Sequence, residues 1–298
     1  MEIVLTRGTL WRTLCRRSAE AVARGALHSI ETRQAILADE DLPFVVRVVS
    51  SLQRKIQARQ DSTRSSVENP FLPYEQALFV ADVSSQHVAL LNKFNVIDHH
   101  LLLVTRAFEH QETVLTQADF TALWCCLKEY PALGFYNGGA VAGASQPHKH
   151  LQLVPLPLCD MPTGLPFGAV LAQAARRNPS VPVAALPFAH AFCALTDLDV
   201  SSAATAGRLL EQRYLSLLDA VHLSPLQRGR ERRQGGAYNL LVTTEWMLLV
   251  PRAREHFHDI SLNALAFVGS LFVRSNEQLQ VLEREGPVHA LRDVTQVV

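Results

Sequence analysis

The sequence predicts an α+β protein in which an antiparallel sheet is flanked by helices. Three short apolar segments, 77–83, 88–91 and 101–105, are separated by polar turns, which is typical of antiparallel strands. Two longer segments repeat apolar residues at helical spacing. One of them follows Thr116, which is spaced from Asp119 like a capping box, and the other covers 203–221.

The other segments are predicted from the same patterns. Residues 1–60 are predicted to be mostly helical, because apolar side chains recur at i, i+4 spacing from Leu10. Residues 61–66 contain no apolar side chain and are predicted to form a mobile loop. Residues 238–251 are predicted to form strands, and 262–273 a last apolar helix.

The charge balance and the hydropathy exclude several classes of protein. Lys plus Arg equals Asp plus Glu, at 28 each, so the net charge does not favour nucleic acid as a partner. No apolar run reaches the roughly 18 residues that span a bilayer. Residues 1–17 lack the apolar stretch of a secretory signal. We therefore expect a cytoplasmic protein without membrane contact, and a single domain over residues 1–298.

A short internal echo predicts two structural copies within that domain. Tyr136-Asn137 and Tyr238-Asn239 each precede an apolar segment that ends in Leu-Val-Pro. Only the first copy contains histidines, so we expect a single site. Residues 69–160 are predicted to form a catalytic half, and residues 180–280 a degenerate second half.

The segment 137–152 (NGGAVAGASQPHKHLQ) carries the side chains best suited to chemistry. If 148–154 is a strand, the side chains of His148, His150 and Gln152 share one face, with about 6.6–6.8 Å between successive members. Lys149 then points to the opposite face. This row of two imidazoles and an amide is an unusual use of three strand positions.

A turn of small residues, Gly143-Ala144-Ser145-Gln146, precedes the two histidines. Such a turn can present successive backbone N–H groups to an anion, with the Ser145 hydroxyl as a further donor. Fixed donors can hold the phosphate oxygens while an imidazole attacks phosphorus, which suits phosphoryl or nucleotidyl transfer. At pH 7 an unperturbed histidine is roughly three quarters neutral, so its nitrogen is available without a base.

Two simpler interpretations of His148 and His150 stay open. A histidine on a strand is most often a hydrogen-bonded structural residue. Two histidines at i, i+2 also serve as metal ligands in β-rich sites, although no third Cys, His or carboxylate stands nearby to complete a set. Catalysis is the interpretation that the neighbouring turn favours.

The run GASQPHKHLQ at 143–152 resembles the active-site signature of the diadenosine tetraphosphate (Ap4A) phosphorylases, also called ATP adenylyltransferases, in the histidine-triad (HIT) superfamily. Further blocks resemble that family in the same order, namely NPF at 69–71, HVALLNKFN at 87–95, HHLLLVT at 99–105, LPFAH at 186–190 and YNLLVTTEWMLLVPR at 238–252. The resemblance covers about residues 45–275. It implies a HIT-like fold with an antiparallel sheet flanked by helices and two degenerate HIT-type halves.

The resemblance also implies a role for each residue of the His-x-His-x-Gln run. His150 would be the nucleophile, His148 would position or polarise it, and Gln152 would hydrogen-bond phosphate oxygens. Gln152 stands where HIT hydrolases carry a third histidine, and the resemblance implies that it favours transfer to phosphate over hydrolysis. An amide cannot deliver a proton as an imidazolium can, so a leaving group that needs no strong acid fits better.

The implied reaction is a double displacement on Ap4A. His150 attacks the α-phosphorus, ATP leaves, and phosphate then releases the AMP–His150 adduct as ADP. The implied partners are dinucleoside polyphosphate, ATP, ADP and phosphate, and the protein is expected to be a monomer or a weak dimer. No tightly bound cofactor is expected, and Mg²⁺ would come only with the polyphosphate.

Further candidate ligands of the polyphosphate surround this motif in the sequence. Asn137 is expected to anchor the turn or to contact the reacting phosphate. The other candidates are expected to contact phosphate or ribose, with turn-forming or surface duty as the alternative for some of them. They are Lys93, Asn92, Asn95, Gly143, Ala144, Ser145, Gln146 and Arg252.

Two other functions stay open. An enzyme like the hexose-1-phosphate uridylyltransferases of the same superfamily would carry His-Pro-His-x-Gln, whereas Lys149 stands between the histidines here and the zinc-ligand cysteines are missing. A non-catalytic sensor would bind Ap4A without forming an adduct. Capture of labelled adenylate on the protein distinguishes these possibilities.

Overall fold

The structure is a computed structural model that describes residues 1–49, 69–177, 182–198, 202–229 and 231–296. The helices of these residues are α1 (Leu10–Ala23), α2 (Gln117–Leu127), α3 (Gly168–Arg177), α4 (Ala203–Ala220), α5 (Asn276–Glu285) and α6 (Pro287–Val294). Their strands are β1 (Thr32–Asp39), β2 (Leu42–Val49), β3 (Phe79–Asp82), β4 (His87–Leu91), β5 (Leu101–Thr105), β6 (Ala132–Gly138), β7 (His150–Pro155), β8 (Ala191–Ala194), β9 (Leu226–Arg228), β10 (Glu231–Arg233), β11 (Tyr238–Val242), β12 (Trp246–Pro251), β13 (His256–Phe257), β14 (Ile260–Ser261) and β15 (Ser270–Val273). The loop predicted at 61–66 lies outside the described residues.

Eight of these strands form one sheet with the order β3-β4-β5-β7-β6-β11-β12-β8. Every neighbouring pair in this sheet is antiparallel. The strands predicted over 77–83, 88–91 and 101–105 are β3, β4 and β5, and the strands predicted over 238–251 are β11 and β12. The predicted α+β architecture, an antiparallel sheet flanked by helices, is confirmed.

Strands β6 and β11 bring the two copies of the internal echo together, with five strands of the sheet on the β6 side and three on the β11 side. The hairpin partners β7 and β12 lie outside these two strands, one on each side. The register places Asn137 directly opposite Asn239. The two Tyr-Asn segments of the internal echo are therefore neighbours at the centre of the sheet. The division into a catalytic half and a degenerate half stays a prediction.

Helices α1, α2 and α4 cover one face of the eight-stranded sheet. Phe120 and Leu123 of α2 are fully buried there together with Leu151 of β7. The predicted capping box at the start of α2 is present, because the Asp119 Oδ2 atom accepts a hydrogen bond from the Thr116 N–H at 2.7 Å. The helix predicted over 203–221 is α4.

A buried ion pair fastens α2 to this face of the sheet. Lys149 is fully buried, and its Nζ atom donates to Asp119 Oδ2 at 2.9 Å and to Glu109 Oε2 at 2.8 Å. His87 Nε2 donates to the other oxygen of Asp119, also at 2.9 Å. Burial alone would raise the pKa of the Asp119 carboxyl, but Lys149 and His87 outweigh it and hold the pKa well below its usual range. Lys149 thus points away from the neighbouring histidines, as predicted.

The opposite face of the sheet is covered by a second, three-stranded sheet with the order β1-β2-β15 and by α3, α5 and α6. Here the prediction that residues 1–60 are mostly helical is wrong for 32–49, which form a β-hairpin. Glu40 and Asp41 have φ of 46° and 63°, as a two-residue hairpin turn requires. The valines of β2 favour a strand, and this local preference outweighs the weak helical periodicity.

The apolar helix predicted over 262–273 is also wrong. Residues Ala264–Val268 form only a short 3₁₀ turn, which ends at Gly269 with φ of 84°. The segment then continues as β15, which pairs in parallel with β2. An apolar run buried on all sides has no preferred period, so its sequence does not distinguish a helix from a strand. Among the described residues, none of the helices is both long and apolar enough to cross a membrane.

We predict that the Asp119→Ala substitution lowers the free energy of unfolding by about 3 kcal/mol or more, because the Lys149 ammonium loses its buried partner. The control is Asp82→Ala, which removes an exposed ion pair with Arg106 and should cost less than about 1 kcal/mol. Urea denaturation of both variants measures the two values. Equal losses would show that the buried ion pair contributes no more to the free energy of unfolding than the exposed one.

Candidate active site

A cavity of about 1010 Å³ opens on the face of the sheet opposite to α2. Strands β4, β5, β6 and β7 contribute to its floor, and the segment 69–75 and β15 contribute to its walls. The sequence-predicted site residues that line it are Lys93, Asn92, Asn137, Gly143, Ser145, Gln146, His150 and Gln152. The predicted residues His148, Ala144, Asn95 and Arg252 do not line it.

The imidazole of His150 is fixed by the backbone of its own strand. Its Nδ1 atom lies 2.8 Å from the carbonyl oxygen of His148 and donates to it. This hydrogen bond sets the tautomer, since the Nε2 atom must then carry the lone pair. Burial lowers the pKa of His150 to about 4, so the ring is neutral at pH 7. His150 therefore presents an unprotonated nitrogen at the cavity wall.

His148 lies next to His150 on the same face, but its ring is completely buried. Its Nε2 atom donates to the carbonyl oxygen of Thr105 at 2.9 Å, and its Nδ1 atom accepts from Asn69 Nδ2 at 3.0 Å. The rings of Phe71 and Phe108 pack against it. Of the two roles expected for His148, the contacts favour positioning, which it exerts through the carbonyl group that holds His150.

Gln152 is oriented by a histidine that the sequence analysis did not select. The Nε2 atom of His100 donates to Gln152 Oε1 at 2.9 Å, while its Nδ1 atom accepts from Asn92 Nδ2 at 3.1 Å. Burial lowers the pKa of His100 to about 4, so the ring is neutral at pH 7. Its Nε2 atom therefore donates to Gln152 while its Nδ1 atom accepts from Asn92. The oxygen of the Gln152 amide is thereby engaged, and its NH₂ group remains as a donor for the cavity.

The turn 143–146 presents fewer backbone donors than the sequence predicts. The N–H groups of Gly143 and Ala144 donate to the carbonyl groups of Ala140 and Gly139, at 2.8 and 3.1 Å. These two amides close the turn itself, so the prediction that Ala144 binds phosphate through its amide is wrong. The amides of Ser145 and Gln146 have no hydrogen-bond partner among the described residues, and both residues line the cavity.

Asn137 anchors this turn from the end of β6. Its Oδ1 atom accepts from Asn239 Nδ2 at 2.8 Å and from the Ala264 N–H at 3.1 Å. Its Nδ2 atom lies 3.5 Å from the carbonyl oxygen of Gly143. The contacts therefore favour the first of its two expected roles, which is anchoring.

The prediction that Arg252 contacts the polyphosphate is wrong. The side chain is 1% exposed, and its guanidinium donates to Asn239 Oδ1 at 2.6 Å and to the carbonyl oxygen of Leu262 at 2.8 Å. Burial lowers the pKa of Arg252 to about 10, which still leaves the group charged. Arg252 acts behind the site, where it holds the asparagine that in turn holds Asn137.

Lys93 and Asn95 occupy different environments, although they are two residues apart. Lys93 lies at the cavity, where its Nζ atom donates to Glu75 Oε2 at 2.7 Å. Asn95 is buried and bonds to Ser29 Oγ at 3.2 Å and to the carbonyl oxygen of Ile97 at 3.0 Å. The prediction that Asn95 contacts ribose or phosphate is therefore wrong, and the alternative of a turn-forming role applies.

Three residues that position the site were missed by the sequence analysis, namely Asn69, His100 and Gln111. Asn69 and His100 stand in segments that resemble the family, but only the pairing of Leu102 with Gln152 brings His100 to the site. Gln111 belongs to no motif, so nothing in the sequence signals it. Among the described residues, no group of three or more His, Cys, Asp or Glu side chains is placed to hold a metal ion.

Comparison with known proteins identifies the class to which this fold and site belong. Residues 1–173 match the family model of the Ap4A phosphorylase N-terminal domain, and residues 184–296 match that of the ATP adenylyltransferase C-terminal domain. The fold is HIT-like, as in the solved structure that matches it over nearly its whole length. The chain belongs to the Ap4A phosphorylase family.

Two proteins of Saccharomyces cerevisiae illustrate the similarity. Diadenosine tetraphosphate phosphorylase 2 is 29% identical over 268 residues, which cover 81% of this chain and 79% of the yeast protein. The protein APA1 is 28% identical over 291 residues, which cover 86% of this chain and 84% of the relative. The crystal structure of yeast Ap4A phosphorylase Apa2 has the same fold, with a TM-score of 0.78, 24% identity and 98% of each chain covered. Its complex with Ap4A aligns with a TM-score of 0.76, 22% identity and 98% coverage of each chain.

The two neutral histidines of the site predict a loss of stability in mild acid. The pKa of His100 and of His150 is about 4 in the folded chain and 6.5 for an unperturbed ring. The unfolded chain therefore binds more protons between these values, and stability falls as the pH drops from 6.5 towards 4. At pH 5 each ring should contribute a loss of about 2 kcal/mol. Urea denaturation at pH 7 and pH 5 tests this, and the loss of stability between the two pH values should be about 2 kcal/mol smaller in His100→Phe. An unchanged dependence in that variant would contradict the assignment.

Proposed function

We propose that the protein is an Ap4A phosphorylase, which converts Ap4A and phosphate to ATP and ADP through an AMP–His150 intermediate. The observation that carries the proposal is the His150 ring, whose Nδ1 proton is held by the His148 carbonyl group and whose Nε2 lone pair lies at the cavity. Membership of the Ap4A phosphorylase family and likeness to two yeast relatives support the choice of substrate.

In the first displacement, the Nε2 lone pair of His150 attacks the α-phosphorus of Ap4A. An N–P bond forms, the P–O bond to the β-phosphate breaks, and ATP leaves with that oxygen. The imidazole becomes cationic, and its Nδ1–H···O=C bond to His148 strengthens as charge develops. This contact stabilises the adduct more than the free ring, so it assists the chemical step rather than binding alone.

Donors around His150 are placed to hold the phosphate oxygens. The Gln152 NH₂ group and the amides of Ser145 and Gln146 provide neutral donors, whose dipoles stabilise the negative charge of the transition state. Lys93 lies at the same cavity and provides a cation for the distal phosphates, at the expense of its contact with Glu75. In the second displacement, inorganic phosphate attacks the same phosphorus, ADP leaves, and His150 regains its lone pair.

Several properties of the proposed enzyme remain predictions. We expect a monomer or a weak dimer, a cytoplasmic location, and no tightly bound cofactor. Mg²⁺ would accompany the polyphosphate as its counterion, with ligands supplied by phosphate and water. Assays with Mg²⁺ and with a chelator measure this requirement directly.

Adduct formation is the direct test of the proposal. Incubation with Ap4A that carries label on the α-phosphorus should leave about one acid-labile, base-stable adenylate on each chain when phosphate is omitted. Adding phosphate should release the label as ADP. The His150→Ala variant should incorporate no label and lose turnover by about 10⁴-fold or more, as expected when a covalent nucleophile is removed.

His256→Ala is the matched control, because this exposed histidine lies outside the cavity. It should be labelled as the wild type is. Label on His150→Ala would exclude His150 as the nucleophile. Binding of Ap4A without label on the wild type would favour the sensor, and transfer of uridylate rather than adenylate would favour the uridylyltransferase alternative.

The identity of residue 152 should decide between transfer and hydrolysis. Gln152→His introduces a group that can exchange protons with a water nucleophile, so we predict that the ratio of AMP to ADP rises by about tenfold or more. Gln152→Ala removes the donor without adding such a group, and it should slow both products equally. Chromatography of the products at fixed phosphate concentration measures the ratio. An unchanged ratio in Gln152→His would show that residue 152 does not control the acceptor.

A further inference from the structure

The strands β6 and β7 separate at the residue that carries the nucleophile. Their antiparallel pairing runs from Ala132 with Pro155 to Phe135 with Gln152. Continuing the same register by two residues on each strand would place Asn137 opposite His150. Neither that pair nor the intervening pair of Tyr136 with Leu151 is made, so the backbone of His150 lacks its ladder partner on the β6 side.

The side-chain amide of Gln111 fills this gap. The His150 N–H donates to Gln111 Oε1 at 2.9 Å, and Gln111 Nε2 donates to the carbonyl oxygen of Asn137 at 2.9 Å. The same nitrogen lies 3.3 Å from the carbonyl oxygen of His150. The amide thus stands between the two strands as an inserted peptide group, accepting from one strand and donating to the other.

Gln111 is itself held firmly on both sides. Its N–H donates to the carbonyl oxygen of Pro147 at 2.7 Å, and its carbonyl oxygen accepts from the hydroxyl of Tyr136. The residue is 1% exposed and does not line the cavity. It therefore has no direct access to a ligand, and any effect on the reaction passes through the groups that it holds.

The amide of Gln111 satisfies two partners of opposite type at this position. The His150 N–H needs an acceptor, and the Asn137 carbonyl group needs a donor, within one buried side chain. A carboxylate accepts but cannot donate, and an apolar side chain does neither. A buried N–H without a partner costs about 1–3 kcal/mol, which the chain relieves by moving the backbone.

We propose that Gln111 is a positioning residue for the nucleophile. Its side-chain amide links β7 to β6 through hydrogen bonds and thereby fixes the position of His150 relative to the Asn137 end of β6. This inference rests on the proposed function and names a residue that controls its first chemical step. Because Gln111 lies behind the cavity wall, it governs the rate of attack and leaves Ap4A affinity nearly unchanged.

Single-turnover labelling of Gln111→Glu and Gln111→Met tests the proposal. A displacement of about 1 Å can cost about 100-fold in rate. At pH 8 we expect both variants to be adenylylated 10-fold to 100-fold more slowly than the wild type, with labelling still reaching about one AMP per chain and with the Kd for Ap4A within about threefold. The control is Gln117→Glu, since this exposed amide of α2 donates only to the carbonyl oxygen of Ala204 in α4 and should leave the rate unchanged.

The pH dependence separates positioning from a general structural role. A buried carboxyl group is protonated readily, and its protonated form again has one donor and one acceptor. The rate of Gln111→Glu relative to Gln111→Met should therefore rise by about tenfold between pH 8 and pH 6.

Three results would overturn the proposal. They are wild-type rates in both variants at pH 8, a constant ratio between the variants across this pH range, and a reduced final label with a wild-type rate, which indicates a partly unfolded sample. Absence of label on the wild type would instead overturn the proposed function, so the two failures are distinguishable.

Discussion

The site depends on one hydrogen bond, between the Nδ1 proton of His150 and the carbonyl oxygen of His148, two residues earlier. The bond selects the tautomer and points the other nitrogen at the cavity, and in the proposed reaction it provides a dipole for the charge that develops during attack. It is made within one short segment of backbone, so its geometry depends on how that segment is held. Much of the surrounding structure serves this purpose.

The segment 148–150 is held from both faces of the sheet by different kinds of contact. On the cavity side, the ring of His148 is bonded to Thr105 and Asn69. On the opposite side, the Lys149 ammonium is locked into a buried cluster with Asp119. The alternation of a strand lets neighbouring residues be fixed to both faces at once. A residue between two histidines can thus be essential to geometry while it lies far from the substrate.

The sequence predicted those parts of the site that depend on local order, and missed those that depend on contacts across the sheet. Alternation along β7 placed His150 and Gln152 on one face, as observed. The prediction for Arg252 failed because its position after the repeated Val-Pro pair does not indicate whether its side chain is buried or exposed to the cavity. His100 reaches Gln152 only through strand register, and no local pattern reports it. The β-hairpin 32–49 was missed because the helical spacing that begins at Leu10 was extended over a segment whose valines favour a strand.

The pairing of β6 with β11 makes the structures of the two parts of the chain depend on each other. Asn239 and Arg252, from the part without the His-x-His pair, hold the asparagine that anchors the turn 143–146. If the chain were divided between β6 and β11, the first part would expose the edge of β6 that β11 now covers. An uncovered strand edge is a template for aggregation. Removing residues of the second part should therefore displace the turn 143–146, although that part contributes no histidine to the cavity.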